Sequence, residues 1–301
     1  MKYILTLVKI TLLIYAISYV YYADYTSLVS LISLNQLYAL LLLLIFHALR
    51  TQRFSNISNA VKSKISYLNL LVIYYHSLSL AIITPGGIGE LYRIKLFKDK
   101  GLDNWKIYNF LMLEKVTDII AILTILLLVI SKFFFGLNIF FLFFIIVIII
   151  SLLIYILHIS LSFLFNNGPV LKSQSIKRKV INLIQSILEI EKIDFIKIYL
   201  FTTVYWLIFL LVLYVGLSSL HTFNIEEMMS IFVINSVSVA LPISYMGYGV
   251  REIILESTIF SSEKSLYIAA IALQYTLIYF TSVLIGVMVI LINKFYLWKK
   301  K

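Results

Sequence analysis

The sequence predicts an all-α polytopic membrane protein with about six spanning helices plus two re-entrant hairpins, and three observations carry this. Hydrophobic residues make up 62% of the 301 and charged residues only 13%, far from the composition of soluble domains. Apolar stretches long enough to cross a roughly 30 Å hydrocarbon core recur along the whole chain. Five of the ten glycines and two of the three prolines are packed into two short segments, TPGGIGELYR (84–93) and LPISYMGYGVRE (241–252), each set in apolar sequence and each carrying an acid and an arginine.

Taken in order, the spans fall near residues 3–22, 31–49, 107–130, 133–160, 198–219 and 267–293. The first lacks a small-residue cleavage site and carries Tyr15, Tyr19, Tyr21 and Tyr22, which suits an interfacial anchor of the mature protein better than a cleaved signal. Two shorter or more polar stretches, 65–84 and 228–246, run straight into the breaker-rich segments. Broken backbone and ionised side chains are both expensive in a bilayer and persist where they line a cavity or are buried in protein. The two segments are therefore the default functional site.

Cysteine is absent, which excludes disulfides, thiolate metal sites and thiol nucleophiles. The net charge of +11 is explained by cytoplasmic loops obeying the positive-inside rule, with no nucleic-acid partner. The loop from Arg50 to Lys64 holds four basic residues and that at Asp24 none, which places the N-terminus inside. A simple crossing at 65–84 would put Arg93, Lys95, Lys98, Lys100 and Lys106 outside. A hairpin entering from the cytoplasm and turning near Pro85 and Gly86 keeps both flanks inside. The second segment is expected to enter from outside, so that the C-terminus is also cytoplasmic. Of 25 basic residues, 21 then lie on the inner side, with Lys132, Arg251 and Lys264 outside and Lys115 within a span.

The order span, re-entrant segment, span thus occurs twice with opposite orientation, over 31–130 and 198–293, within a single integral membrane domain covering 1–301. Inverted repeats of this kind place a substrate site near the midplane, where broken helices meet. Residues 166–197, with Ile176, Val180, Ile184, Ile187 and Leu188 at helical spacing beside Lys172, Lys177, Arg178 and Lys179, predict a basic amphipathic linker helix on the inner leaflet.

In the first segment, Pro85, Gly86, Gly87 and Gly89 allow close backbone approach, Arg93 supplies a planar cation suited to phosphate, and Glu90 sits one helical turn away to pair with it. In the second, Pro242, Gly247 and Gly249 precede the adjacent Arg251 and Glu252, with Ser244 and Tyr245 as hydroxyl donors. Glu114 and Asp118, at i and i+4 on the helix after the first segment, need a cation between them in a membrane, with Arg93 or Lys115 as the expected partner. They are read either as a proton or cation relay or as an ion-pair lock. His47, His76 and Asn69 are read as packing residues. The chain has no nucleotide-binding, metalloprotease or serine-hydrolase motif, so ATP-driven coupling within it is not expected, and no catalytic residue is assigned although motif absence does not exclude catalysis. Only acids are available to bind a hard cation and no dense oxygen-ligand loop surrounds them, so no structural metal is expected, nor any cofactor.

These residues resemble the flippase-like family named for the transmembrane region of lysylphosphatidylglycerol synthase. The resemblance is carried by PGGIGELYR, by LEKVTD at the start of the next helix and by LPISYMGYGVRE before the last span, and it covers essentially the whole chain. It implies an aminoacylated phospholipid, another phospholipid or a polyprenyl-phosphate glycolipid as substrate. Lys115 stands where the family often has arginine, and Tyr245, Met246 and Tyr248 make the second motif bulkier. No room is expected for a soluble aminoacyltransferase domain. The resulting expectation is a cell-membrane lipid translocase acting on a phosphate-bearing lipid. The alternative is a membrane subunit or partner of a lipid-dependent glycosyltransferase or lipid-modifying synthase, and a second rival is a non-transporting scaffold that binds a membrane synthase; a lipid-modifying enzyme or a second copy of the chain is the expected protein partner.

Overall fold

A computed structural model of the chain describes residues 2–22, 34–135, 192–218, 223–241, 244–258 and 264–298. Every regular element among them is helical: α1 (Lys2–Tyr22), α2 (Leu34–Ala60), α3 (Tyr67–Ile83), a 3-10 segment (Pro85–Leu91), α4 (Tyr92–Asp99), α5 (Asn104–Phe135), α6 (Lys192–Leu217), α7 (Ile225–Ala240), α8 (Val250–Thr258) and α9 (Lys264–Trp298). The chain is an all-α membrane protein. Three described stretches, Leu34–Ala60, Ile193–Leu217 and Ser265–Phe295, are long and apolar enough to cross a bilayer. Most of the expected 133–160 span and the expected linker helix up to residue 191 lie outside the described residues.

Two boundaries differ from the sequence reading. The segment after Arg50, expected as a loop, continues α2 for almost three more turns. No breaker occurs before Lys62, and Phe54 and Ile57 are buried at helical spacing, so packing overrides the polar composition. The helix ends where Lys62 takes a positive φ of 53° and Ser63 N donates to Ser58 O at 2.9 Å. α5 likewise runs unbroken past Ser131 and Lys132 to Phe135.

α3 and α7 are short, at 17 and 16 residues, or roughly 25 Å, less than the roughly 30 Å hydrocarbon core. α3 stops at Thr84, whose extended backbone (φ −110°, ψ 140°) leads into Pro85; proline restricts its predecessor to this region. α7 starts on a capping box in which Asn224 Oδ1 accepts from Glu227 N and Asn224 N donates to Glu227 Oε2, both at 2.9 Å, and stops at Leu241, whose backbone is extended.

The local pattern recurs in register. α2, α3 and α4 begin at 34, 67 and 92, and α6, α7 and α8 at 192, 225 and 250, each 158 positions on. Lengths run 27, 17, 8 and 32 in the first series and 26, 16, 9 and 35 in the second.

Two compact units are present. One comprises residues 1–47, 68–96 and 208–301. Its core holds Phe46, Phe209, Phe232 and Tyr275, with Phe209 5.4 to 6.1 Å from the other three rings. Gly286 of α9 meets Ser79 and Tyr75 of α3, and Gly216 of α6 meets the Gln274 side chain; small residues are what permit such close helix crossings in a membrane. The other unit comprises residues 48–67 and 97–207 and is built around Phe54, Phe97 and Phe110, with Phe54 and Phe110 edge to face at 4.5 Å.

Candidate functional site

The first motif folds back onto the helix that leads into it. Gly89 N donates to Thr84 Oγ1 at 2.7 Å, and that hydroxyl donates to Leu80 O at 2.8 Å, supplying partners for backbone groups that the break leaves over. A Cβ on Gly89 would collide with the backbone of Leu80 and Ala81, so glycine is required here by proximity. Arg93, fully buried in the first turn of α4, donates from Nε to Ser77 Oγ at 2.6 Å. Its guanidinium lies 5.3 Å from the Tyr74 ring centroid, within cation–π range. Glu90 Oε1 stands off at 3.7 Å from Nη2, with 24% of its side chain exposed. Ile88 and Leu91 project outward from the same segment.

The second motif is tighter. Met246, Gly247 and Gly249 have φ of 48°, 85° and 83°, a left-handed run in which only the glycines are free of steric strain. Arg251 and Glu252 are both wholly buried. Arg251 Nε and Nη2 donate to Glu252 Oε1 at 2.9 and 2.5 Å, and Nη1 donates to Asn235 Oδ1 at 3.1 Å. The rings of Tyr248 and Tyr275 lie 4.8 and 4.7 Å from the guanidinium. Glu252 Oε2 accepts from Gly249 N at 2.5 Å, so one carboxylate holds both the turn and the arginine. Ser244, expected as a ligand donor, is buried and donates to Ser238 O at 3.1 Å. Pro242 lies outside the described residues, and of Pro85, Gly86 and Gly87 only the backbone is described.

The 158-residue register extends to the side chains. Arg93 reaches back to Ser77 on α3, and Arg251 to Asn235 on α7, so both partners as well as both arginines correspond (93 with 251, 77 with 235). Gly89 abuts Leu80 and Ala81, and Gly247 abuts Ser238 and Val239, again the same pairs. A hydroxyl covers the carbonyl of Leu80 in one case and of Ser238 in the other. The acids do not correspond: Glu90 precedes its arginine by three residues and Glu252 follows by one. Both motifs lie in the same unit, and α7 packs against the 3-10 segment of the first.

Glu114 and Asp118 lie in the other unit. The basic partner of Asp118 is Arg53 of α2, at 3.1 Å, in place of the expected Arg93 or Lys115. Arg53 also donates from Nη2 to Glu114 O at 2.6 Å and to Thr117 Oγ1 at 2.9 Å. Tyr205 OH and Trp206 Nε1 of α6 both donate to Asp118 Oδ1, the indole at 3.0 Å. Arg53 was hidden in the sequence by the polar run around it; the signal that reveals it is the spacing of Phe54 and Ile57, which keeps α2 going and turns this face inward. His47 packs edge to face on Phe46 and sits 3.3 Å from Ser282 Oγ, and His76 packs on Tyr92, as expected of packing residues. Among the described residues no group of three or more His, Cys, Asp or Glu side chains is arranged to hold a metal.

Residues 4–286 match the family model described as lysylphosphatidylglycerol synthase TM region. The chain belongs to this family. The match spans both motifs and both series of helices, so the paired arginine sockets sit inside the family's membrane region. No curated protein and no solved structure matches the chain.

Proposed function

We propose that the chain is a lipid translocase that moves an anionic phospholipid or polyprenyl-phosphate-linked lipid between leaflets. The observation that carries this reading is the pair of arginine sockets in one register, each on a broken helix inside apolar sequence. Short helices that end within the bilayer, repeated in sequence, are the architecture in which substrate sites form at a repeat interface. Arginine's planar fork matches a phosphate diester.

The two sockets are unequal. Arg251 is surrounded by acceptors and ring faces, with a carboxylate at 2.5 Å, while the acid of Arg93 is more distant and part exposed. A phosphate entering either socket must replace a carboxylate, since like charges cannot share one guanidinium without cost. The first socket is the easier of the two to open. Substrate therefore engages Arg93 first, and opening of the Arg251 socket completes the passage. Burial of both arginines also favours the second reading, a membrane partner of a lipid-modifying enzyme in which the sockets are purely structural.

Leaflet exchange of fluorescent phospholipids and polyprenyl phosphates in proteoliposomes separates the two. Hydrogen bonds to a charged group contribute about 1.5–3 kcal/mol each, so Arg93→Gln is expected to slow exchange by about ten-fold or more. Ser77→Ala, which frees Nε but keeps the charge, is expected to slow it less. No exchange of any lipid by correctly folded protein overturns the translocase reading in favour of the partner reading.

The inverted orientation of the two series is tested by labelling. The chain has no cysteine, so a single cysteine at Lys98 is expected to react only from the cytoplasmic side and one at Lys264 only from the opposite side. Reaction of the Lys98 site from outside rejects the inverted arrangement.

A further inference from the structure

The Arg53–Asp118 centre is not used by the sockets, yet it places ionised groups on membrane-grade helices, where such groups are expensive and by default functional. Its geometry is lopsided. All three donors to the Asp118 carboxylate converge on Oδ1: Arg53 Nη1 at 3.1 Å, Trp206 Nε1 at 3.0 Å and Tyr205 OH. Oδ2 has no hydrogen bond among the described residues, and the side chain retains 18% exposure while Arg53 retains 2%. A structural lock would be expected to share its donors between both oxygens, because an unmatched carboxylate oxygen in a poorly solvated place is costly. The guanidinium is also unsaturated: Arg53 Nε is buried without an acceptor.

We propose that Asp118 is a proton-binding site. The proton is taken on the open Oδ2, converting carboxylate to neutral acid. The attraction for Arg53 falls with the charge, and the guanidinium turns to the Glu114 carboxylate, whose field already acts on it. The charge left by Asp118 is thus taken over within the same centre, and the proton is the one species bound and released. The other ionisable groups acting here are Arg50 on α2 and Tyr205 on α6, with Lys115 adjacent on α5. Protonation loosens the tie between α2, α5 and α6, the three helices that supply the centre. A proton gradient would then bias which state the protein occupies. That last step rests on the translocase reading; the proton site does not.

Trp206 is a built-in reporter, because its indole N–H bonds directly to the titrating carboxylate. With Trp105 and Trp298 replaced by phenylalanine, the third tryptophan can be followed alone in reconstituted full-length protein. From about pH 8 to about pH 4, which brackets ordinary carboxylate values, Trp206 emission is expected to follow a single-proton titration. Asp118→Asn should abolish that titration. Tyr205→Phe, which removes one donor to Oδ1 and keeps both Asp118 and Trp206, should retain a pH response. Emission that is flat with pH, or a titration that survives Asp118→Asn, overturns the proposal.

The transport arm keeps the two readings apart. Titration of Trp206 without exchange of any lipid leaves the proton site standing and removes the translocase. Lipid exchange that ignores an imposed pH gradient, with Trp206 silent, does the reverse.

Discussion

Replacing Arg251 with glutamine is expected to destabilise the protein by about 3–5 kcal/mol, the usual result of removing one partner from a buried ion pair. Glu252 is wholly buried and would lose both N–H donors that Arg251 directs at Oε1, leaving only the Gly249 amide on its other oxygen. The rings of Tyr248 and Tyr275 would lose the cation they flank. The effect should fall on folding first, so the thermal midpoint and the folded yield are the measurements to make before any transport assay. Asn235→Ala removes a single bond to Nη1 and should lose far less. The double replacement Arg251→Met with Glu252→Leu should recover much of the loss, since apolar residues of similar volume often substitute for a buried pair without penalty. An Arg251→Gln protein as stable as the parent would show that the socket is not an ion-pair structure at all.

Gly89→Ala is the second large effect. The added methyl would sit on the backbone of Leu80 and Ala81, and main chain cannot rotate aside as a side chain does. The 3-10 segment must therefore move off α3, breaking the Gly89 N to Thr84 Oγ1 bond and displacing Arg93 from Ser77. A loss of about 1–3 kcal/mol is expected, the range for overpacking a filled site, together with loss of any activity that depends on the first socket. Gly101 provides the control. It has a positive φ of 77°, but nothing lies within 4 Å of the place an added methyl would take. Gly101→Ala should therefore show the conformational cost alone, about 1–2 kcal/mol, with activity per folded molecule unchanged. Equal loss of activity in the two variants would separate function from the close contact at Gly89.

The two sockets also differ in what surrounds them. Both arginines are anchored to a polar residue in the same place on the preceding short helix, and the second acid also accepts from the amide of its own turn, at Gly249. The first helix closes over this second motif: a Cβ on Gly249 would meet the backbone of Leu12, and Tyr15 OH donates to Glu256 on α8. α1 therefore covers the second socket, whereas the first is bordered by the exposed Ile88 and Leu91.

Composition and breaker placement were enough to read the all-α membrane class and that helices break at the two segments, because hydrophobic thickness and backbone satisfaction act locally along the chain. The motif order was enough to recognise the family. The sequence did not reveal that α2 continues through its polar end, because Phe54 packs on Phe97 and Phe110, far along the chain. It assigned the wrong cation to Asp118 for the same reason: Arg53 and Asp118 are 65 positions apart, and only packing of α2 beside α5 and α6 makes them partners. The 158-residue register was not read from the sequence, since the prolines are offset between the motifs; the helix starts and the contacts of Ser77 with Arg93 and Asn235 with Arg251 align them. Local propensity decides where a membrane helix starts and breaks, but which charges meet inside it is decided by tertiary packing, because an ion in an apolar setting takes whatever partner the neighbouring helices bring within reach.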